Sequence, residues 1–341
     1  MTGLLTAVLI VRNEKETLPG CLASLDGVAD TVHVHDTGSV DGTPVLAEQL
    51  GASVSRGLWD DDFAAARNDA HRGCTAGWVL AIDADQRYTG DPDALRALLR
   101  ATDADVLRVE IDNAHDESPY THAEGRLYRA GTVAWQGRVH ERLVGSSRLA
   151  AAPRAAIRFT HEGYASPELR RAKSERNVGL AHRALDELLS AGPAADRGVL
   201  ATTLLDLGRS LVGAGRNQDA VDTFEVLREE FPGTPQWIEG TDFLARLVLA
   251  GGMDEVCLVL VEQLRTAGAP GPYCDWLAAQ ALAQLGDAVT AAELLAGVTE
   301  VVDTAGRRYD PAALRELRGL VGQLLRTATA ARPRPPSPTT G

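Results

Sequence analysis

Trp78-Val79-Leu80-Ala81-Ile82-Asp83-Ala84-Asp85 is the stretch whose reading decides the fold of the first half of this chain. Five unbroken apolar residues fit a short strand buried on both faces. The two acids stand where that strand would leave its sheet. Carboxylates two residues apart can face one hard cation, Mg2+ or Mn2+, and share it with diphosphate oxygens. The tripeptide alone is common in acidic chains. Asp60-Asp61-Asp62 nearby reads as a solvated turn, so Asp83-Ala84-Asp85 takes its weight from its surroundings.

Those surroundings alternate strand and helix. Apolar runs at Thr6–Val11, Thr31–His35, Ser53–Ser55 and Asp105–Val109 flank the central one. Helical patterns lie between them at Lys15–Leu25, Thr43–Leu50, Phe63–Gly73 and Pro92–Ala101. Thr43-Pro44 reads as an N-cap followed by proline in the first turn, and Gly51 as the stop. Such alternation predicts a mostly parallel sheet with helices on both faces. Residues 105–165 change to short strands with turns, an insertion that finishes the sheet and walls a pocket.

Three polar clusters each follow a predicted strand: Arg12-Asn13-Glu14-Lys15-Glu16, Asp36-Thr37-Gly38-Ser39-Val40-Asp41-Gly42-Thr43 and Asp83-Ala84-Asp85. Open α/β sheets bind ligands beyond the carboxyl ends of their strands, so one crevice would collect all three. Asp36 and Asp41 suit either a base N–H or ribose hydroxyl, or the turn itself. Arg67, after Ala64-Ala65-Ala66, suits either a phosphate or a surface ion pair.

Taken in order, Val11-Arg12-Asn13-Glu14, Asp36 to Thr43, Ala66-Arg67-Asn68 and Trp78 to Asp85 resemble family 2 glycosyltransferases with the GT-A fold. Arg126-Leu127-Tyr128-Arg129, Trp135, Val139-His140-Glu141 and His161-Glu162-Gly163-Tyr164 extend the resemblance to one branch. That branch includes lipopolysaccharide-core and bacteriocin-peptide glycosyltransferases, some with helical repeats after the catalytic domain. The chain departs from the pattern at Gln86, where the family often has Glu, and at His35. The resemblance implies an inverting hexosyl transfer from a nucleoside-diphosphate sugar, a UDP-sugar first, to a peptide, natural-product or glycan acceptor. It puts Val11, Asn13, Glu14, Asp36, Asp41, Arg67, Asp83, Ala84 and Arg126 around the donor. It also puts Asp85, Asp83 and His161 on Mn2+ or Mg2+. Glu141 is its catalytic base, with a structural ion pair to Arg138 or Arg142 as the other reading. Trp135 and His140 fall on the acceptor side, although core packing suits Trp135 as well.

After Ser166-Pro167 the chain reads as helical. Gly215-Arg216-Asn217-Gln218-Asp219-Ala220-Val221 recurs loosely from Gly252 and again from Gly286, 37 and 34 residues on. That period is tetratricopeptide-like, and Leu207-Gly208, Ala220 and Pro232 fall at the expected offsets. The expected division is a catalytic domain at 1–166, a tetratricopeptide-like domain at 167–330 and a disordered proline-rich tail at 331–341. The helical part recruits acceptor or forms a homodimer.

A net charge of −13 argues against nucleic acid or an anionic membrane as the main partner. The Leu4–Val11 run is too short to span a membrane, and four scattered cysteines suit a reducing cytoplasm. A turnover-free sugar-nucleotide-binding scaffold is the alternative to an enzyme. A nucleotidyltransferase is disfavoured, because Arg12-Asn13-Glu14 is not a Gly-rich, Lys-containing loop.

Overall fold

The computed structural model describes residues 3–74, 77–113, 119–161 and 166–330. Residues 162–164 of the last motif and the 331–341 tail lie outside the described residues. The chain divides into two compact units, Met1–Arg216 and Asn217–Gly341.

The first unit opens with β1 (Leu5–Val11), α1 (Leu18–Ser24), β2 (Thr31–Asp36), α2 (Thr43–Gln49), β3 (Ser53–Arg56) and α3 (Phe63–His71). Next come β4 (Trp78–Ala81), β5 (Gln86–Thr89), α4 (Pro92–Ala101), β6 (Val106–Asn113) and β7 (Tyr120–Arg129). The short strands β8 (Ala134–Gln136), β9 (Arg142–Val144), β10 (Leu149–Ala151) and β11 (Arg158–His161) complete the α/β part. A hairpin of α5 (Pro167–Ser190) and α6 (Arg197–Gly213) ends the unit.

The sheet runs β3-β2-β1-β4-β7-β6-β11-β5, with β10 beside β6. Its first four strands are parallel, whereas β7 is antiparallel to both neighbours. Side chains along β1 and β4 alternate between two cores. Leu5, Ala7, Leu9, Trp78, Leu80 and Ile82 pack in one core, with residues of α1 and α4. Val8, Val79 and Ala81 pack in the opposite core, with Ala64 and Ala70 of α3. Both faces are covered, which is why these strands read as unbroken apolar runs.

Details differ from the sequence reading at two places. The cap of α2 is Gly42 in a left-handed conformation, not Thr43. The Thr43 hydroxyl is drawn instead to Asp41 Oδ1 at 2.6 Å and to the Glu14 N–H at 2.9 Å. The Asp60-Asp61-Asp62 turn is tied to structure: Asp62 caps α3, and Asp61 accepts from Trp59 Nε1 and pairs with Arg183 of α5.

In the second unit α7 (Asn217–Glu230), α8 (Pro235–Ala250), α9 (Asp254–Thr266), α10 (Gly271–Gln284), α11 (Ala288–Ala296) and α12 (Pro311–Ala330) pack on one another in chain order. This is the neighbour-on-neighbour stacking of helical repeats. Gly252 and Gly286, two of the repeat glycines, turn the chain between α8 and α9 and between α10 and α11 with φ of 73° and 86°. The third, Gly215, follows α6 at 75°. The expected order, an α/β sheet and then an all-α repeat-like region, is the observed one. The sequence reading put the boundary at 166–167, where Ser166 caps α5, but α5 and α6 group with the sheet.

Gly77 starts β4 at φ 80°, and a Cβ there would lie 2.8 Å from the Gly3 carbonyl oxygen and 2.9 Å from that of Leu4. A Gly77→Ala substitution is expected to destabilise the first unit by about 1–3 kcal/mol, measured by urea unfolding. An unchanged midpoint would show that the β4 entry tolerates a side chain.

Candidate active site

Three strand ends converge because of register. Val11 pairs with Asp36 across β1 and β2, and Val8 pairs with Ala81 across β1 and β4. Asp83 and Asp85 continue the β4 alternation onto the α3 side, whereas Ala84 enters the opposite core. Gln86, the departure from the family pattern, is buried and accepts the Asp83 N–H at 3.1 Å, closing the turn.

A cavity of about 700 Å³ opens on that side. It collects Glu14, Arg67, Asp83, Ala84, Asp85, Arg126, Trp135, His140, Glu141 and His161 from the expected set. Val11, Asn13, Asp36 and Asp41 are not among the residues lining the cavity: Val11 and Asp36 end β1 and β2, and Asn13 and Asp41 lie in the loops that follow. There the Asp36 carboxylate accepts from the Gly38 and Ser39 amides, and the Asp41 carboxylate from Thr43 and Lys15. Asn13 Oδ1 takes the Val40 N–H, and the Val11 carbonyl takes Thr37. These side chains tie the two loops together.

Arg67 is the hub. It is 4% exposed. Its Nη2 donates to Asp83 Oδ1 at 2.8 Å and its Nε to Glu141 Oε1 at 2.6 Å. Its guanidinium lies 4.9 Å from the Trp135 ring centre. It is therefore an internal cation on the cavity wall, not a surface ion pair. Asn68, the next residue, bonds both the N–H and the carbonyl of Trp135. Trp135 is itself core, donating Nε1 to Tyr128 Oη at 3.1 Å. The partner of Glu141 is thus Arg67; Arg138 pairs with Glu187 and Arg142 with Asp206 instead.

Asp83 is held from the other side by Arg126, whose Nη1 lies 3.1 Å from Oδ2. Burial pushes the Asp83 carboxyl up, but Arg126 and Arg67 outweigh it and hold its pKa at about 2. Glu124 accepts from Arg126 Nε at 2.8 Å, and it too stays below the usual range against its burial. Glu14 goes the other way: burial dominates, Asp85 and Asp83 add repulsion, and its pKa is raised despite the Thr17 hydroxyl. The contact of Arg126 Nη1 with Asp83 is an ion pair without hydrogen-bond alignment.

Asp85 and His161 form the metal-competent corner. His161 Nε2 lies 3.1 Å from Asp85 Oδ2, and its Nδ1 lies 3.2 Å from Asn113 Oδ1. The pair is partly exposed, and β11 sits beside β5 in register His161↔Gln86, which fixes it there. Among the described residues no three His, Cys, Asp or Glu side chains group as a full metal cage. One carboxylate and one imidazole beside an open cavity still fit a cation that takes its other ligands from phosphate oxygens and water. Asp83, occupied by two arginines, is the less available of the two aspartates.

Sequence reasoning missed His122, Asn113 and Glu124, and the hairpin residues Lys173, Arg176 and Arg209, all of which line the cavity. His122-Ala123-Glu124-Gly125-Arg126 does carry a signal, since period-two spacing on a strand puts 122, 124 and 126 on one face. The hairpin residues had none, because long-range packing brings them in. The hairpin is pinned to the sheet by Arg138–Glu187 at 2.6 Å and by His140 Nε2 and Ser210 Oγ at 3.2 Å.

A mixed sheet whose parallel half ends in paired carboxylates beside an open cavity defines a GT-A-type domain. Residues 6–156 match the family model described as glycosyl transferase family 2. The chain is 38% identical over 146 residues to a TPR repeat-containing protein of Synechococcus elongatus, covering 42% of this chain and 36% of that protein. It is 23% identical over 270 residues to the SPbeta prophage-derived glycosyltransferase SunS of Bacillus subtilis, 77% of this chain and 60% of that one. An uncharacterized glycosyltransferase of Rickettsia bellii is 34% identical over 89 residues, 26% of this chain and 30% of that protein. The chain thus spans less than two thirds of the length of each of these relatives. Glucosyl-3-phosphoglycerate synthase of Mycobacterium tuberculosis is similar over 33% of this chain and 45% of its own, at 21% identity and a TM-score of 0.28. No helix among the described residues is long and apolar enough to cross a membrane.

Two outcomes check the charge network. Replacing Arg67 with Met leaves Asp83 and Glu141 without their shared cation, and is expected to cost about 3–5 kcal/mol in chemical unfolding. Asp83 and Glu124 have folded pKa values below their unfolded values of about 3.9 and 4.3. Their contribution is therefore complete above those values and is lost as pH falls through the folded ones. Unfolding free energy should drop between about pH 4 and about pH 2, more shallowly in Asp83→Asn. An identical slope in that variant would remove Asp83 from the account.

Proposed function

We propose that the chain is an inverting, metal-dependent glycosyltransferase using a nucleoside-diphosphate sugar, UDP-sugars first, with a peptide, natural-product or glycan acceptor. One observation carries the reading. Asp85 and His161, 76 residues apart, meet at 3.1 Å on the cavity that also holds Asp83 and Glu141. The family match over 6–156 supports the donor class.

Mn2+ or Mg2+ held by Asp85 and His161 would offset the negative charge that develops on the departing diphosphate. Glu141 receives the proton of the acceptor nucleophile as that nucleophile bonds to the anomeric carbon. The bond from that carbon to the diphosphate breaks on the opposite face, which inverts the centre. Arg67 fixes the Glu141 carboxylate by the hydrogen bond from Nε, and Trp135 fixes Arg67. Arg126, on the cavity wall beside Asp83, brings positive charge toward the diphosphate or sugar. The ties among Asn13, Ser39, Val40, Asp36 and Asp41 shape the loops that would receive the nucleoside. His140 takes φ 51° and stands next to Glu141 on the acceptor side. We place the reaction in the cytoplasm and leave to the helical second unit the recruitment of acceptor or pairing with a second copy.

The same Arg67–Glu141 ion pair favours a second reading, a binding module without turnover, because it occupies one oxygen of the base.

Thermal unfolding against UDP-, GDP- and dTDP-sugars with Mn2+ tests the donor. One nucleotide class at 100-fold its dissociation constant should stabilise the protein by about 2.7 kcal/mol. A chelator or Asp85→Ala should abolish the shift. No shift with any class sinks the donor assignment. Glu141→Gln should keep donor binding and lose at least about 100-fold in donor hydrolysis or transfer. Binding without any turnover in the unaltered protein establishes the scaffold reading.

A further inference from the structure

The cavity is lined by acids of the sheet part and by cations of both the sheet part and the α5–α6 hairpin. On the sheet side, Arg67 and Arg126 pair with Asp83, Glu124 and Glu141, two cations against three acids, and Glu14 and Asp85 add two more acids to the cavity lining. On the hairpin side, α5 presents Lys173 and Arg176 to the same cavity. Both are exposed, and among the described residues neither has a carboxylate within ion-pair distance.

Arg176 is held, not merely present. Its guanidinium stacks 5.0 Å from the Phe63 ring centre, and it donates to the neighbouring Asn177 Oδ1 at 3.0 Å. A guanidinium on an aromatic face keeps its N–H groups free at the ring's edge. Partial desolvation beside Phe63 lowers the Arg176 pKa although the residue stays exposed, Arg12 after β1 adds like-charge repulsion, and Glu141 partly offsets both. Lys173 acts from further along α5 on Glu14. Cations gathered this way across a gap from Asp85 suit a bound anion. A ligand matching both walls carries a cation toward Asp85 and His161 and phosphate oxygens toward α5.

We propose that Lys173 and Arg176 of α5 clamp the diphosphate of the donor, so that a helix outside the family-matching segment 6–156 completes the donor site. This rests on the donor reading above. It makes the α5–α6 hairpin part of the binding site, and it makes residues 1–166 alone a poor binder of nucleoside diphosphate. As positioning residues for the leaving group, the two cations act on charge rather than on base recognition.

Titration calorimetry on the full chain tests this with uridine, UMP and UDP, the corresponding guanosine and thymidine series, and Mn2+ throughout. The double variant Lys173→Ala/Arg176→Ala should lose about tenfold in diphosphate affinity per cation removed, with nucleoside affinity unchanged. The salt dependence of diphosphate binding should also flatten, a readout that a purely structural role leaves unmoved. Lys173→Gln/Arg176→Gln repeats the test with longer side chains should the alanine variant fail to fold, and Arg176→Lys should retain most of the affinity. If the unaltered protein binds a nucleoside diphosphate and the variants bind it equally well with the same salt dependence, this inference alone falls. If diphosphate affinity is unchanged and only the acceptor KM rises, the cations serve an anionic acceptor and the proposal is overturned. If the unaltered protein binds none of the diphosphates, the donor reading falls and takes this one with it.

Discussion

Arg67 is the constraint on which the rest of the site depends. A guanidinium almost wholly out of water costs several kcal/mol unless its charge is met, and here two carboxylates from separate segments meet it. One stands at the end of β4, and the other follows the β8 turn. The ion pairs therefore fix the distance between the two parts of the cavity. Trp135 closes the third side of the guanidinium, and Asn68 grips the Trp135 backbone. Moving any of these shifts Asp83 and Glu141 together.

The sheet makes that arrangement affordable. Because β1 and β4 are apolar on both faces, their ends are rigid, and the loops after them can carry polar clusters without local folding of their own. The Asp36-to-Thr43 loop and the Arg12-to-Glu16 loop satisfy each other through Asn13, Ser39, Asp41 and Thr43. The corner of Asp85 and His161 depends on β11 returning beside β5, an antiparallel pair that joins the first and last parts of the domain.

Legibility followed range. Strands and helices of the first 110 residues could be read almost to their bounds because apolar period and caps are local, as at Pro92–Ala101. β5 escaped notice because Gln86-Arg87-Tyr88-Thr89 is short and polar, and it is a strand only through its pairing with β11. Thr43 was misplaced as a cap because its hydroxyl answers to Asp41 and to a backbone amide 29 residues away. Membership of the cavity was legible for residues in ordered motifs, such as Asp83, Glu141 and His161. It was not legible for Lys173 or Arg176, which only long-range packing brings to the cavity.

By itself the sequence determined the two-part architecture, the strand-end clusters and the family of the first domain, since each rests on periodicity or on residues close in the chain. Tertiary structure decided who partners whom. It buried Arg67 between two carboxylates, gave Glu141 a partner 74 residues away, and brought α5 to the cavity. The physical reason is that a charge is assigned its role by what desolvates it and what stands within a few ångströms, and neither is written in local order along the chain.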